Sequence, residues 1–163
     1  MFGFLNKTKL ITNDLKGMAK LMYLDVSKDT WDQENLSKRN LDFTIESIRY
    51  MDVYTKRLLT TETGKSLLLA HFDTLVIRTG AYIGEVIKSE IKKDYKWYEF
   101  DSVFHYSSIL DGIPRAIKEE TVLYSKKEDI AILPLTEVAQ YMTAKSTYPD
   151  LLSYVEEMIK QYL

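Results

Sequence analysis

The sequence predicts an α+β fold: N-terminal helices with a long central helix packed on a small antiparallel sheet, followed by C-terminal helices. Three observations predict it. Apolar residues recur at helical spacing as far as Lys92; Trp, Tyr, Phe, Val and Ile then dominate several short segments between Lys96 and Leu133; Pro134 and Pro149 each open a further helical pattern. Helices, then strands, then helices is the order of an α+β domain. A chain of 163 residues is long enough to bury one ordinary core. No repeat, low-complexity tract or linker divides it, so residues 1–163 are read as one domain, with 1–8 as a loosely packed N-terminal segment.

The first helix is read from Ile11, Leu15, Met18 and Met22, spaced three to four apart, and ends near Asp25. Val26 to Arg39 is polar apart from Trp31 and Leu36 and reads as a loop, with a turn of helix around Gln33–Lys38. A second helix is expected from Thr44 to Leu59, with Ile48, Met51 and Leu58 near one face. Gly64 separates it from the third helix, expected to run from Lys65 to Lys92 without a break. There Leu68, Phe72, Leu75 and Thr79 mark one stripe; Val76, Gly80, Ile83, Ile87 and Ile91 mark the next. Two adjoining stripes make a wide buried face, which places this helix at the centre. Lys96 to Tyr106 favours a strand by composition. Asp111-Gly112-Ile113-Pro114 is a turn. Thr121–Tyr124 and Ile130–Leu133 read as a hairpin joined by Ser125–Asp129. Pro134 stops the last strand and suits the first position of a short helix reaching Met142, and Pro149-Asp150 opens the last helix.

The formal net charge is −2 with mixed signs along the chain. Phosphate-binding surfaces normally carry excess Lys and Arg, so nucleic acid is not an expected partner. The absence of cysteine excludes disulfides, thiolate metal sites and Cys nucleophiles. Met1 to Lys7 is too short for a signal-peptide core, and no run approaches the ~20 apolar residues that span a bilayer. The expectation is a cytoplasmic protein in which Phe2, Phe4 and Leu5 pack on the domain; the alternative is a short amphipathic membrane foot at the N-terminus.

Gly80 and Gly84 lie four apart, on one helical face. Glycine inside a helix costs about 0.5–1 kcal/mol relative to alanine, so two of them need a reason. Close packing of another element is the simpler one. The functional alternative is a groove beside Glu85 that admits a ligand. An inward Glu85 needs a partner, since an unpaired buried charge is costly; Arg78, Arg49, Lys88 or a tyrosine hydroxyl would serve. Asp52 sits mid-helix, where Asp has poor propensity. A contact from Glu85 or Asp52 to Arg78 or a tyrosine hydroxyl would join the second and third helices. The candidate polar site, binding or structural, is therefore Glu85, Asp52, Tyr82, Gly80, Gly84 and Trp97.

These residues carry a resemblance. Gly80 to Ile87, reading Gly-Ala-Tyr-Ile-Gly-Glu-Val-Ile, followed by Trp97, is similar to the central helix and following strand of a family of bacterial proteins without an established activity. Ser47, Ile48, Asp52 and Tyr54 match its upstream helix, and Pro134, Leu135 and Val138 its strand-to-helix junction. The resemblance spans roughly 41 to 154 in three pieces in the right order. It implies a small cytoplasmic α+β domain. Some similar domains occur near toxin–immunity loci, which implies an immunity-type binding role. It carries over no catalytic residue.

Catalytic signatures are absent. His71 and His105 are the only histidines and have no ligand spacing; no metal or cofactor is expected. No Gly-x-Ser-x-Gly occurs. Thr63-Gly64-Lys65-Ser66 matches only the end of a phosphate-binding loop, with Leu59 where its first glycine belongs. Tyr95, Trp97, Tyr98, Phe100, Phe104 and Tyr106 crowd one strand region; an ordinary core sheet accounts for at least half of them, and exposed ones suit protein contact. The leading reading is a non-enzymatic protein-binding domain, immunity-like, or one that self-associates through this sheet. The alternative is a small-ligand binder or enzyme with a pocket beside Gly84 and Glu85.

Overall fold

The computed structural model describes residues 9–163. The expected packing of Phe2, Phe4 and Leu5 lies outside the described residues. Among the described residues, eight helices and a three-stranded antiparallel sheet confirm the α+β class.

Helix α1 spans Lys16–Leu24. The helical reading from Ile11 needs correction, because Ile11 to Asn13 are extended along the sheet. The Glu99 amide donates to Ile11 O at 2.9 Å, and the Asn13 amide to Trp97 O at 3.0 Å. Asp14 then receives the Lys16 amide at 3.0 Å, a turn that delays the helix. Helix α2, Thr30–Asn35, occupies the stretch expected to be mostly loop. The signal is Asp29, which caps it by accepting the Asp32 amide at 3.0 Å.

Helix α3 covers Ile48–Thr60. The helix expected from Lys65 to Lys92 is in fact two, α4 (Glu62–Ala70) and α5 (Phe72–Ile91), broken at His71 with φ −135° and ψ 37°. A straight helix over 62–91 would be about 45 Å long, more than a domain of this size accommodates. The break leaves α4 packed on α3 while α5 runs through the core, with α1, α7 and α8 against it.

Strand β1 is only Lys96–Glu99, and the rest of the expected strand forms helix α6, Phe100–Tyr106. Aromatic composition suggested a strand, but Phe100 and Val103 are both buried and three apart, the spacing of a helix face. A 3-10 turn at Ser108–Leu110 follows. Strands β2 (Thr121–Ser125) and β3 (Ile130–Ile132) form the expected hairpin. Pro134 stands in the first turn of α7, Pro134–Met142. Asp150 caps α8, Leu151–Tyr162, by accepting the Ser153 amide at 2.7 Å.

The sheet, ordered β1-β2-β3, divides two cores. Cross-strand partners Trp97, Leu123 and Ile132 face the main core with α5. Tyr98, Val122 and Tyr124, on the opposite pleat, form a second core with Phe100, Val103 and Leu110. Of the aromatic run, Tyr95, Trp97, Tyr98 and Phe100 are thereby buried, and Phe104 is exposed. None of the helices among the described residues is long and apolar enough to cross a membrane.

Candidate functional site

Gly80 and Gly84 mark where two neighbouring elements touch α5. A Cβ on Gly84 would stand 2.3 Å from Trp97 Cη2 and 2.5 Å from its Cζ2, far inside contact distance. A Cβ on Gly80 would stand 2.7 Å from Leu135 Cδ1 and 3.0 Å from its Cα. The first glycine admits the indole of β1 and the second admits the start of α7.

The next residue, Glu85, stands beside the same indole. Trp97 Nε1 donates to Glu85 Oε2 at 2.8 Å, and Lys88 Nζ lies 3.1 Å from that oxygen. The residue is 7% exposed, so burial of the charge is offset by one ammonium and one indole donor. Lys88 is thus the partner among those expected.

Tyr82 is fully buried and joins α5 to the chain ahead of α3. Its hydroxyl accepts the Phe43 amide at 3.0 Å and shares a 2.7 Å hydrogen bond with Ser47 Oγ. Its ring stacks on Phe43 at 4.7 Å between centroids. Burial pushes its phenol up to about 12. Phe43 has φ 63°, a left-handed conformation that the Tyr82 contacts hold in place.

Asp52 does something else. Its carboxylate accepts the amides of Leu151 at 2.6 Å and Leu152 at 3.2 Å, so a side chain of α3 caps α8. Burial nevertheless raises its pKa to about 6. The expected contact of Glu85 or Asp52 with Arg78 or a tyrosine hydroxyl needs correction: Arg78 pairs with Asp25 at 2.8 Å, and Tyr82 with Ser47 joins the α3 region to α5. The six residues named from sequence therefore fall into four places. Gly84, Glu85 and Trp97 share one, while Gly80, Tyr82 and Asp52 stand in separate contacts.

What Glu85 can do chemically is limited by these bonds. Its Oε2 takes both the indole and the ammonium, and the three clefts described below are lined by other side chains. His71 lies at the α4–α5 break and His105 on α6, and no group of three His, Asp or Glu among the described residues is arranged to hold a metal.

Sequence reading missed an apolar groove of about 410 Å³ between the end of α3, α4, the start of α5 and the end of α7. Leu58, Leu59, Leu68, Leu69, Phe72 and Met142 line it, with Lys65 as its charged residue. Leu69 is 88% exposed, the most exposed large apolar residue among those described. Its signal was the run Leu67-Leu68-Leu69, because three consecutive apolar residues cannot all face one side of a helix. A second cleft, of about 340 Å³, lies between α6 and the loop before β2. It is polar, with Asp101 and Arg115 paired at 3.2 Å. The buried Glu120 at its edge accepts the Ala116 amide and the Thr136 hydroxyl, which pins that loop to α7.

No protein-family model, no curated protein and no solved structure matches this chain significantly.

Proposed function

We propose that this chain is a non-enzymatic protein-binding domain that seats a partner segment in the groove between α3, α4, α5 and α7. The exposure of Leu69 beside that groove carries the reading. A leucine left 88% exposed next to a concave apolar surface forgoes burial worth about 1.5–3 kcal/mol, which a partner would recover. The groove suits an amphipathic helix presenting one apolar side chain. Lys65 is 56% exposed and lies 3.9 Å from Glu62, a weak contact, so its charge favours a carboxylate on the partner next to that side chain. In its most specific form, from the resemblance to domains near toxin–immunity loci, the role is immunity-type and the partner is a toxin of the same cell.

The test uses the folded chain immobilised in a lysate of its own cells. Leu69→Glu, Lys65→Glu and a control, Val53→Glu on the exposed side of α3, are run beside the wild type. A protein held by the wild type and by Val53→Glu, lost with Leu69→Glu and weakened with Lys65→Glu, supports the reading. A partner held equally by all four chains, or none held, removes it.

A further inference from the structure

A different cleft, of about 430 Å³, lies where the Ser27–Asp32 segment meets the end of α3 and the start of α4. Three of its side chains have capacity to spare. Tyr54 is 7% exposed, yet its hydroxyl takes no hydrogen bond from any described residue. Buried tyrosines normally pair that group. Asp32 is also 7% exposed; one carboxylate oxygen accepts the Ser27 hydroxyl at 2.6 Å, and the other accepts nothing among the described residues. Lys28, which also lines the cleft, is exposed and has no ion pair with a described residue.

The remaining charges are fixed in place. Arg57 donates to both oxygens of Asp29 at 3.1 and 3.2 Å and lies 5.5 Å from the centroid of Trp31. Leu58 and Leu67 supply an apolar wall. The cleft is thus lined by a carboxylate and a phenol that are both buried, an exposed ammonium and two leucines. A separate recess of about 30 Å³ shares Ser27, Asp32 and Tyr54 with the cleft and is also lined by Arg78, whose Nε is buried without a partner among the described residues; it has room for one water.

We propose that this cleft binds a small zwitterion of the amino-acid type with an apolar side chain. The ligand's ammonium meets Asp32 and the Tyr54 hydroxyl, its carboxylate meets Lys28, and its side chain lies on Leu58 and Leu67. Each element answers a group left open in the structure. The ammonium compensates a buried carboxylate whose pKa is raised chiefly by desolvation. The phenol, pushed up to about 12 by burial, stays protonated and presents a lone pair to the ammonium. Pockets of this size with few convergent polar groups are the usual form of small-molecule sites. This inference does not rest on the α4 groove as a protein-binding site.

Amide chemical shifts under titration decide it, with L-leucine, N-acetyl-L-leucine and L-leucinamide as probes. Leucine is expected to move the amides of residues 27–32 and 54–64 in a saturating manner. The acetylated probe lacks the ammonium and the amide lacks the carboxylate, and each is expected to bind at least ~10-fold more weakly, since each loses a charge-assisted contact. Lys28→Glu, a surface change that spares the fold, should weaken leucine and strengthen leucinamide. Tyr54→Phe should weaken leucine several-fold while the rest of the spectrum is kept. Absence of saturating shifts with leucine, leucinamide binding as well as leucine, or unchanged leucine affinity in Lys28→Glu would each overturn the assignment.

Discussion

Trp97 donates its indole N–H to Glu85 while its six-membered ring lies against the bare Cα of Gly84, the residue before it. One side chain of β1 thus reads two successive positions of α5. The glycine lets strand and helix approach, and the carboxylate then fixes the orientation of the ring. The same contact closes the main core between α5 and the sheet.

Gly84→Ala is expected to destabilise the fold by roughly 1–2 kcal/mol. Overpacking against an immobile ring costs about 1–3 kcal/mol, and the better helix propensity of alanine returns at most about 1. Gly17→Ala in α1 supplies the control. A Cβ there meets nothing within 4 Å, so only the propensity changes and the protein gains about 0.5–1 kcal/mol. Urea unfolding of both variants shows opposite shifts in midpoint at an unchanged slope.

Glu85→Gln retains an acceptor for the indole and is expected to cost less than ~1 kcal/mol. Glu85→Leu strands the buried Trp97 donor and costs ~1–3 kcal/mol. A double-mutant cycle isolates the bond. In a Trp97→Phe background there is no donor to strand, so the leucine substitution should cost measurably less.

The legible parts of the sequence were those in which local signal and tertiary demand agree. The β2–β3 hairpin, Pro134 at the head of α7 and the helix after Pro149-Asp150 are of this kind. The break at His71 carries neither Gly nor Pro, because the length of the core and the packing of α4 on α3 impose it. The turn from strand to helix at Phe100 was hidden by aromatic residues that serve either structure, and only the Phe100–Val103 spacing marks it. At the candidate site, the glycine spacing pointed to close approach of another element, and the indole of Trp97 provides it. The cap that Asp52 gives α8 joins positions about a hundred residues apart, which no local pattern contains. The α4 groove was hidden for a related reason: it exists only because α4 and α5 are separate helices.

Tyr82→Phe removes one hydroxyl and disconnects two groups, the Phe43 amide and the Ser47 side chain. The ring and its stacking on Phe43 are retained, and Ser47 keeps its bond to Thr44 O, so the expected loss is about 1–3 kcal/mol from the Phe43 amide left without an acceptor. Because these bonds tie down the segment before α3, the loss should first be local. Hydrogen exchange is expected to quicken at residues 41–50 while the amides of α5 keep their protection.

Asp52→Asn separates the capping role from the charge. The wild-type carboxyl has its pKa raised from 3.8 to about 6 by burial. The folded state therefore binds a proton more tightly than the unfolded state between those values. The Asp52 contribution to stability is fullest below pH 4 and declines as pH rises through 6. Allowing for solvent screening at this partly exposed site, the change amounts to about 1–2 kcal/mol. Asparagine keeps a carbonyl for the Leu151 amide but cannot titrate. The difference in unfolding free energy between wild type and Asp52→Asn should therefore move in favour of the variant as pH is raised from 4 to 7. A flat difference across that range would mean that the two α8 amides offset the cost of burying the charge, leaving the pKa of Asp52 near its unfolded value.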